Sequence, residues 1–421
     1  MPVQHSYKIS SRKLVALIIM VFSFMGGYTF FTGNAGTIRW NLFYYGRFVL
    51  IILYAFYSYS TRTKKSERIV TNWMGRLFFS PQILMLLYSI AIWIIYNAQF
   101  RYITRGISNF IFMIGSYISG IYMAKVLGKD TTKIGLLSAI ITMIISMMLG
   151  LVSLGGSFFR KMIEGNNIYV ELHEALFVVG LYLVAYMFRQ NYFQSRKNKC
   201  LFFLGIISFI IGGKRIGFLA VVITSIYGII LKNKTKKTVK GICLITEYVL
   251  IGFTIIYTWI SVSGVLDAVL AKYGIDMMGR GVLYRYFRKF CEYSPTYLGH
   301  GIGFVDRTFG YTTSAELYNM ASVKALHNDF LKIFIEIGFI GSICWIYYWI
   351  RTFNRKMENR FGTAAMLVCL CLFMYSFITY TTDNTAGYFN YQMHLAMLIT
   401  SIGLQAEESK NSSLILGMLR K

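Results

Sequence analysis

The chain has 421 residues, 56% of them hydrophobic and only 14% charged, with a mean hydropathy of +0.53. A soluble protein carries roughly a quarter charged residues, so a soluble globular enzyme is excluded, and the absence of short alternating segments excludes a transmembrane barrel. The excess of 43 Lys and Arg over 17 Asp and Glu gives a net charge of +26. That excess follows from basic residues held on the cytoplasmic side of a membrane, so no nucleic-acid partner is expected.

Apolar runs near the ~20 residues needed to cross a bilayer recur from end to end. They predict an all-α, polytopic integral membrane protein with about twelve transmembrane helices. Their limits are 14–31, 40–59, 77–97, 106–127, 134–155, 174–189, 199–213, 216–231, 241–262, 326–350, 362–381 and 388–404. The first is read as a retained helix, because Lys8, Arg12 and Lys13 precede an apolar run with no small-residue cleavage site. The seventh and eighth are short, separated only by Gly212-Gly213-Lys214-Arg215, and read equally as one re-entrant hairpin. Six cysteines, at 200, 243, 291, 344, 369 and 371, form no CxxC pair or His/Cys cluster, so neither a disulfide framework nor a zinc site is indicated.

Basic residues crowd alternate connections. Lys8, Arg12 and Lys13 begin one set, which continues through Arg62–Arg76, Lys125–Lys133, Arg189–Lys199, Lys232–Lys240, Arg351–Arg360 and Lys410–Lys421. The intervening short connections hold only Arg39; Arg101 and Arg105; Arg160 and Lys161; and Lys214 and Arg215. This asymmetry places both termini in the cytoplasm. The long connection 263–325, between the ninth and tenth helices, then becomes one large extracytoplasmic loop, and residues 1–421 read as a single transmembrane domain.

The loop holds the first candidate chemistry. Gly279 to Arg288 predicts a short helix with Arg280, Tyr284 and Arg288 on one face and Arg285 beside it. Clustered guanidiniums suit a phosphate, which each fork can meet with two hydrogen bonds; a solvated basic helix touching headgroups is the bland alternative. Farther on, Gly299-His300-Gly301-Ile302-Gly303 permits tight backbone and close approach. Its spacing is not that of a dinucleotide loop, and His300 reads as a loop histidine.

Ala325 to Gly338 carries the chain from that loop into the tenth helix. Asn328, Lys332 and Glu336 are four apart and form a polar stripe, with Asp329 at its edge. Ionisable groups entering a bilayer usually face a protein interior or a watery cavity; the plainer reading makes Lys332 and Glu336 a self-neutralising pair. Arg47, inside the second span, invites a functional reading on the same ground. Lys214-Arg215 is by default a snorkelling interfacial pair, and Asp383 and Asn384 mark the last external turn.

Taken in order, Gly213-Lys214-Arg215, Gly279-Arg280, Pro295 with Gly299-x-Gly301-x-Gly303, His327-Asn328, Leu331 and Glu336-x-Gly338 resemble a known pattern. It is that of the O-antigen ligase/O-antigen polymerase (Wzy-type) superfamily of bacterial membrane glycosyltransferases, over roughly residues 200–345. Lys214 departs from the Ser-Arg often found at the hairpin in that family. The resemblance implies a metal-independent glycosyltransferase, without a cofactor, in the bacterial cytoplasmic membrane. It would act at the outer face on an oligosaccharide carried by undecaprenyl diphosphate, with a chain-length regulator and a flippase as further partners.

On that resemblance Arg215, Arg280 and Arg288, with Arg285 as substitute, clamp the diphosphate. His327 takes the acceptor proton, Asp329 is the rival base, and Glu336 orients a lysine or the helix. Lys214, Asn328 and Arg47 are supporting residues. The expected activity is repeat-unit polymerisation of O-antigen, capsule or exopolysaccharide. A ligase delivering the finished glycan to lipid A core or protein shares the chemistry. A transporter is a third reading, although its polar groups would sit at mid-membrane in two related halves, which this sequence does not show.

Overall fold

The computed structural model describes residues 10–25, 38–60, 64–158, 160, 173–188, 195–274, 280–309 and 325–410. Gly279, Arg62, Lys161 and Arg189, which figured in the sequence reading, lie outside the described residues, as do both chain ends. In chain order the helices are α1 Ser11–Met25, α2 Ile38–Ser60, α3 Lys65–Ile95, α4 Phe100–Leu127, α5 Thr131–Leu154, α6 His173–Met187, α7 Arg196–Ile211 and α8 Arg215–Lys232. There follow α9 Lys236–Ser263, α10 Val265–Lys272, α11 Arg280–Arg288, α12 Phe304–Phe309, α13 Asp329–Tyr347, α14 Phe353–Phe361, α15 Thr363–Tyr380 and α16 Phe389–Lys410. No strand occurs among the described residues, so the fold is all-α.

Six helical stretches among the described residues are long and apolar enough to cross a membrane: Lys65–Ile95, Phe100–Leu154, Arg215–Lys232, Lys236–Ser263, Asp329–Phe361 and Thr363–Tyr380. The second, at 55 residues, contains two of the spans expected from hydropathy. α7 and α8 are separate helices with Gly213 between them at φ 66°.

The chain forms two compact units. One is drawn from residues 1–74, 115–218 and 393–415, the other from 75–114 and 219–392. In the first, Tyr182 and Tyr186 on α6 are fully buried, and the Tyr182 hydroxyl lies 2.6 Å from Nδ1 of the buried His394.

In the second unit the connection after α9 folds back as small helices seated on α13. Val262, Leu283, Tyr284, Phe287, Val305, Leu326, Leu331, Phe334 and Ile335 form one buried cluster. α11 exists because Leu283, Tyr284 and Phe287 recur at helical spacing and all enter that cluster, while Arg285 is exposed and Arg280 and Arg288 stay part-buried at its edge. Fully burying a side chain such as Phe287 stabilises the seating by roughly 1.5–3 kcal/mol. α9 stops at Gly264, whose φ of 83° turns the chain directly into α10.

Candidate active site

The site is built around the entry to α13, within the second unit. Asn328 is extended, and its Oδ1 accepts from Leu331 N at 3.0 Å, which caps the helix. Its Nδ2 donates to Ser261 Oγ at 3.2 Å and to the Tyr257 hydroxyl at 3.5 Å, both on α9. The residue before the cap, His327, adopts φ 52°, a left-handed backbone few non-glycine residues take up. Such a conformation costs on the order of 1–3 kcal/mol and persists only when its surroundings fix it. Here they do: His327 N donates to Asn384 Oδ1 at 2.9 Å, and the Tyr284 hydroxyl donates to His327 O at 3.1 Å.

The turn between α15 and α16 completes the arrangement around the imidazole. With its oxygen held by His327 N, Asn384 presents Nδ2 3.3 Å from His327 Nδ1. Asp383 Oδ1 lies 3.8 Å from the same ring nitrogen and accepts from the Tyr388 hydroxyl at 2.9 Å. The carboxylate of Asp383 is buried while the His327 side chain keeps 21% of its surface exposed. An imidazole in this position reaches solvent on one side and meets a negative charge on the other. Asp329, the rival base, is 2% exposed, and its Oδ2 accepts from Ala386 N at 2.8 Å. It ties α13 to the same turn.

The arginines divide by what they hold. Arg280 stands one turn before Tyr284; burial pushes the Tyr284 phenol up to about 12 and the nearby Arg280 charge opposes that rise. Neither Arg280 nor the exposed Arg285 has a hydrogen-bond or ion-pair partner among the described residues. Arg288 is committed: its Nη2 is bound to Asp267 of α10 and its Nε donates to Tyr284 O at 3.2 Å. The remaining three candidates belong to the first unit. Arg47 is buried, donates from Nη1 to Ser23 O at 2.8 Å and lies 4.3 Å over the Phe48 ring. Arg215 is exposed as the first residue of α8, and Lys214 before it is half-buried.

The polar stripe of α13 does not pair with itself. Lys332 Nζ donates to both Asp306 oxygens, at 2.8 and 2.9 Å, so the plainer reading of a self-neutralising Lys332–Glu336 pair gives way to a contact with α12. Asp306 also accepts from Asn109 Nδ2 at 2.7 Å and faces Arg105 Nη2 at 3.8 Å. Burial would raise its carboxyl, but Lys332 and Arg105 outweigh that and hold it below its ordinary value. Glu336 Oε1 accepts instead from Gly303 N at 3.1 Å and Val305 N at 3.2 Å.

His300 has the environment expected of a loop histidine. Its Nε2 donates to Phe290 O at 2.8 Å, its N donates to Ile335 O at 3.1 Å, and its ring stacks on Phe304 at 4.2 Å. Burial lowers its pKa, with the Phe290 carbonyl opposing.

Sequence reasoning missed Asp383 and Asn384 as members of the site, and Asp306 altogether. The only signal for the first two was polarity between the apolar runs 362–381 and 388–404, which marks a turn as readily as a site. Among the described residues no three His, Cys, Asp or Glu side chains gather as a metal-binding set.

Residues 200–346 match the family model described as O-antigen ligase, in line with the superfamily that the motifs resemble. The match includes Lys214, Arg215, Arg280, Arg285, Arg288, His327, Asn328, Asp329 and Glu336; Arg47, Asp383 and Asn384 fall outside it. It supports a ligase/polymerase-type, glycosyltransferase-like activity in a helical membrane protein. A search of curated proteins finds no match.

Proposed function

We propose that this chain is a polysaccharide repeat-unit polymerase of the bacterial cytoplasmic membrane. It moves a glycan from undecaprenyl diphosphate to a hydroxyl of another lipid-linked repeat unit at the outer face, without a metal ion. In this reading about twelve helices cross the bilayer, both termini face the cytoplasm, and residues 263–325 lie outside. A chain-length regulator and a flippase are its expected partners.

The observation that carries the proposal is the His327 junction: a partly exposed imidazole backed by Asp383, beside a helix that carries Arg280 and Arg285, neither of which has a hydrogen-bond or ion-pair partner among the described residues. Glycosyl transfer from a lipid diphosphate needs the departing diphosphate stabilised and a proton removed from the acceptor. The acceptor oxygen attacks the anomeric carbon and the bond from that carbon to the phosphate oxygen breaks. Its electron pair leaves with the lipid diphosphate, and the hydroxyl proton passes to His327. The imidazolium so formed is met by Asp383, and the diphosphate by Arg280 and Arg285. Arg288, already bound to Asp267, braces α11 against α10. Arg215 stays a candidate diphosphate contact on the resemblance alone. Asp329, spent on Ala386 N, is the weaker base.

A ligase is the second reading, favoured by the description of the matching family. The two differ only in acceptor. Deleting the gene separates them in a strain that makes O-antigen: a lost polymerase leaves core capped with a single repeat, and a lost ligase leaves core uncapped. Complementing that strain with His327→Ala tests the mechanism on gels, where long chains of normal length would remove His327 from it.

A further inference from the structure

α13 is two helical pieces. At Gly338 the backbone turns to φ 69°, ψ −171°, which is not helical. A break inside a helix long and apolar enough to cross a membrane leaves main-chain carbonyls without their helical partners, and a membrane interior tolerates that only where protein satisfies them. The glycine turn does so. Ile335 O accepts from His300 N at 3.1 Å and from the Tyr297 hydroxyl at 2.9 Å, and Glu336 O accepts from Gly301 N at 2.7 Å. In the other direction, Phe339 N donates to Tyr297 O at 2.9 Å. The fit is close: a Cβ on Gly299 would come within 2.5 Å of Gly338 N and 2.6 Å of Glu336 O.

The Glu336 side chain finishes the seating by gathering two further loop amides onto one oxygen, Oε1. Glu336 is 5% exposed and its carboxylate is directed at loop backbone. The piece from Asp329 to Ile337 is therefore clamped at both ends: by the Asn328 cap and the Asp329–Ala386 bond at one, and by the glycine turn at the other.

We infer that Glu336 is a positioning residue, which locks the 297–305 turn into the break of α13 and so fixes where the opposite end of that half-helix presents His327. The inference deepens the glycosyltransferase reading and rests on it for the consequence at His327, while the lock itself is a statement about structure alone. It makes a sharp chemical distinction. A lock needs an acceptor oxygen, which a glutamine supplies equally; a proton-transferring or charge-stabilising group needs the carboxylate.

The test uses the full chain purified in detergent, as wild type, Glu336→Gln and Glu336→Ala, with two readouts. One is hydrogen exchange over residues 299–305, which requires no activity. The other is polymer formed on lipid-linked repeat units, with its pH profile. Glu336→Gln is expected to keep loop protection and product within about threefold of wild type, with an unchanged pH profile. Glu336→Ala is expected to exchange at least about tenfold faster over that turn and to lose about a hundredfold in product, the size of effect a displaced catalytic group brings. Glu336→Gln as inactive as Glu336→Ala while its turn stays protected would overturn the inference, because the carboxylate itself would then be needed. Unchanged exchange in Glu336→Ala would overturn it as well. Should Glu336→Ala not fold, Glu336→Gln decides by itself. Should His327→Ala prove fully active while the exchange results hold, the proposed chemistry falls and the lock stands.

Discussion

Two histidines stand on connections between helices of the second unit, and their surroundings differ in every respect that matters. His300 is enclosed by Phe290, Phe304 and Tyr297, with its side-chain donor spent on a carbonyl. His327 sits on a left-handed backbone, partly open, with an amide and a buried carboxylate at its ring nitrogen. Burial among aromatics keeps an imidazole neutral and makes it a packing group. A carboxylate behind a half-open ring lets it accept a proton and return it. What separates the two histidines is thus the polarity of their neighbours, which local sequence does not reveal.

The largest effect that would break this contrast is on activity at His327. His327→Ala is expected to lower polymer formation by about 10²–10⁴-fold, the range for losing a general base, while His300→Phe changes it by no more than a few fold. Equal losses in both would erase the distinction. Next in size come the arginines. Arg280→Ala is expected to cost about a hundredfold and Arg280→Lys about tenfold, since lysine keeps the charge but loses the fork. Steady-state rates on lipid-linked substrate give the comparison, and full activity in Arg280→Lys would remove bidentate binding from the account. Asp383→Asn, which keeps the shape but not the charge behind His327, is expected to lower the rate about tenfold.

The smallest effect concerns stability. His300 titrates below its ordinary value in the folded chain, so the unfolded chain binds a proton first as pH falls. Its contribution is whole above the unfolded pKa of about 6.5 and is lost as pH drops toward the folded value. Thermal unfolding in detergent should therefore show a smaller loss between pH 7 and pH 5 in His300→Phe than in wild type. At pH 7 the same variant should be less stable by about 1 kcal/mol for the missing hydrogen bond. An identical pH dependence in both would show that His300 does not contribute.

Much of this was legible in the sequence because it is local. The spacing of Arg280, Tyr284 and Arg288 predicted α11, and the alternating glycines signalled close backbone approach, whereas Asn328 read as part of a polar stripe and proved to be a helix cap. What was not legible depends on residues far apart in the chain. Lys332 chose Asp306 over Glu336 because the loop brings a second carboxylate to it, and i,i+4 spacing cannot anticipate that competition. Asp383 and Asn384 meet His327 from 56 and 57 positions downstream, through the turn after α15, a contact that no local periodicity encodes. Gly338 read as part of a motif and proved to be a break in the helix, visible only through the turn that fills it.

The most direct test reconstitutes the purified chain in liposomes with undecaprenyl-diphosphate-linked repeat units and follows product length. The account predicts a ladder of elongated lipid-linked glycans from wild type and none from His327→Ala protein that is folded to the same extent. Movement of the lipid-linked units across the bilayer without elongation, or an equal ladder from both proteins, would contradict it.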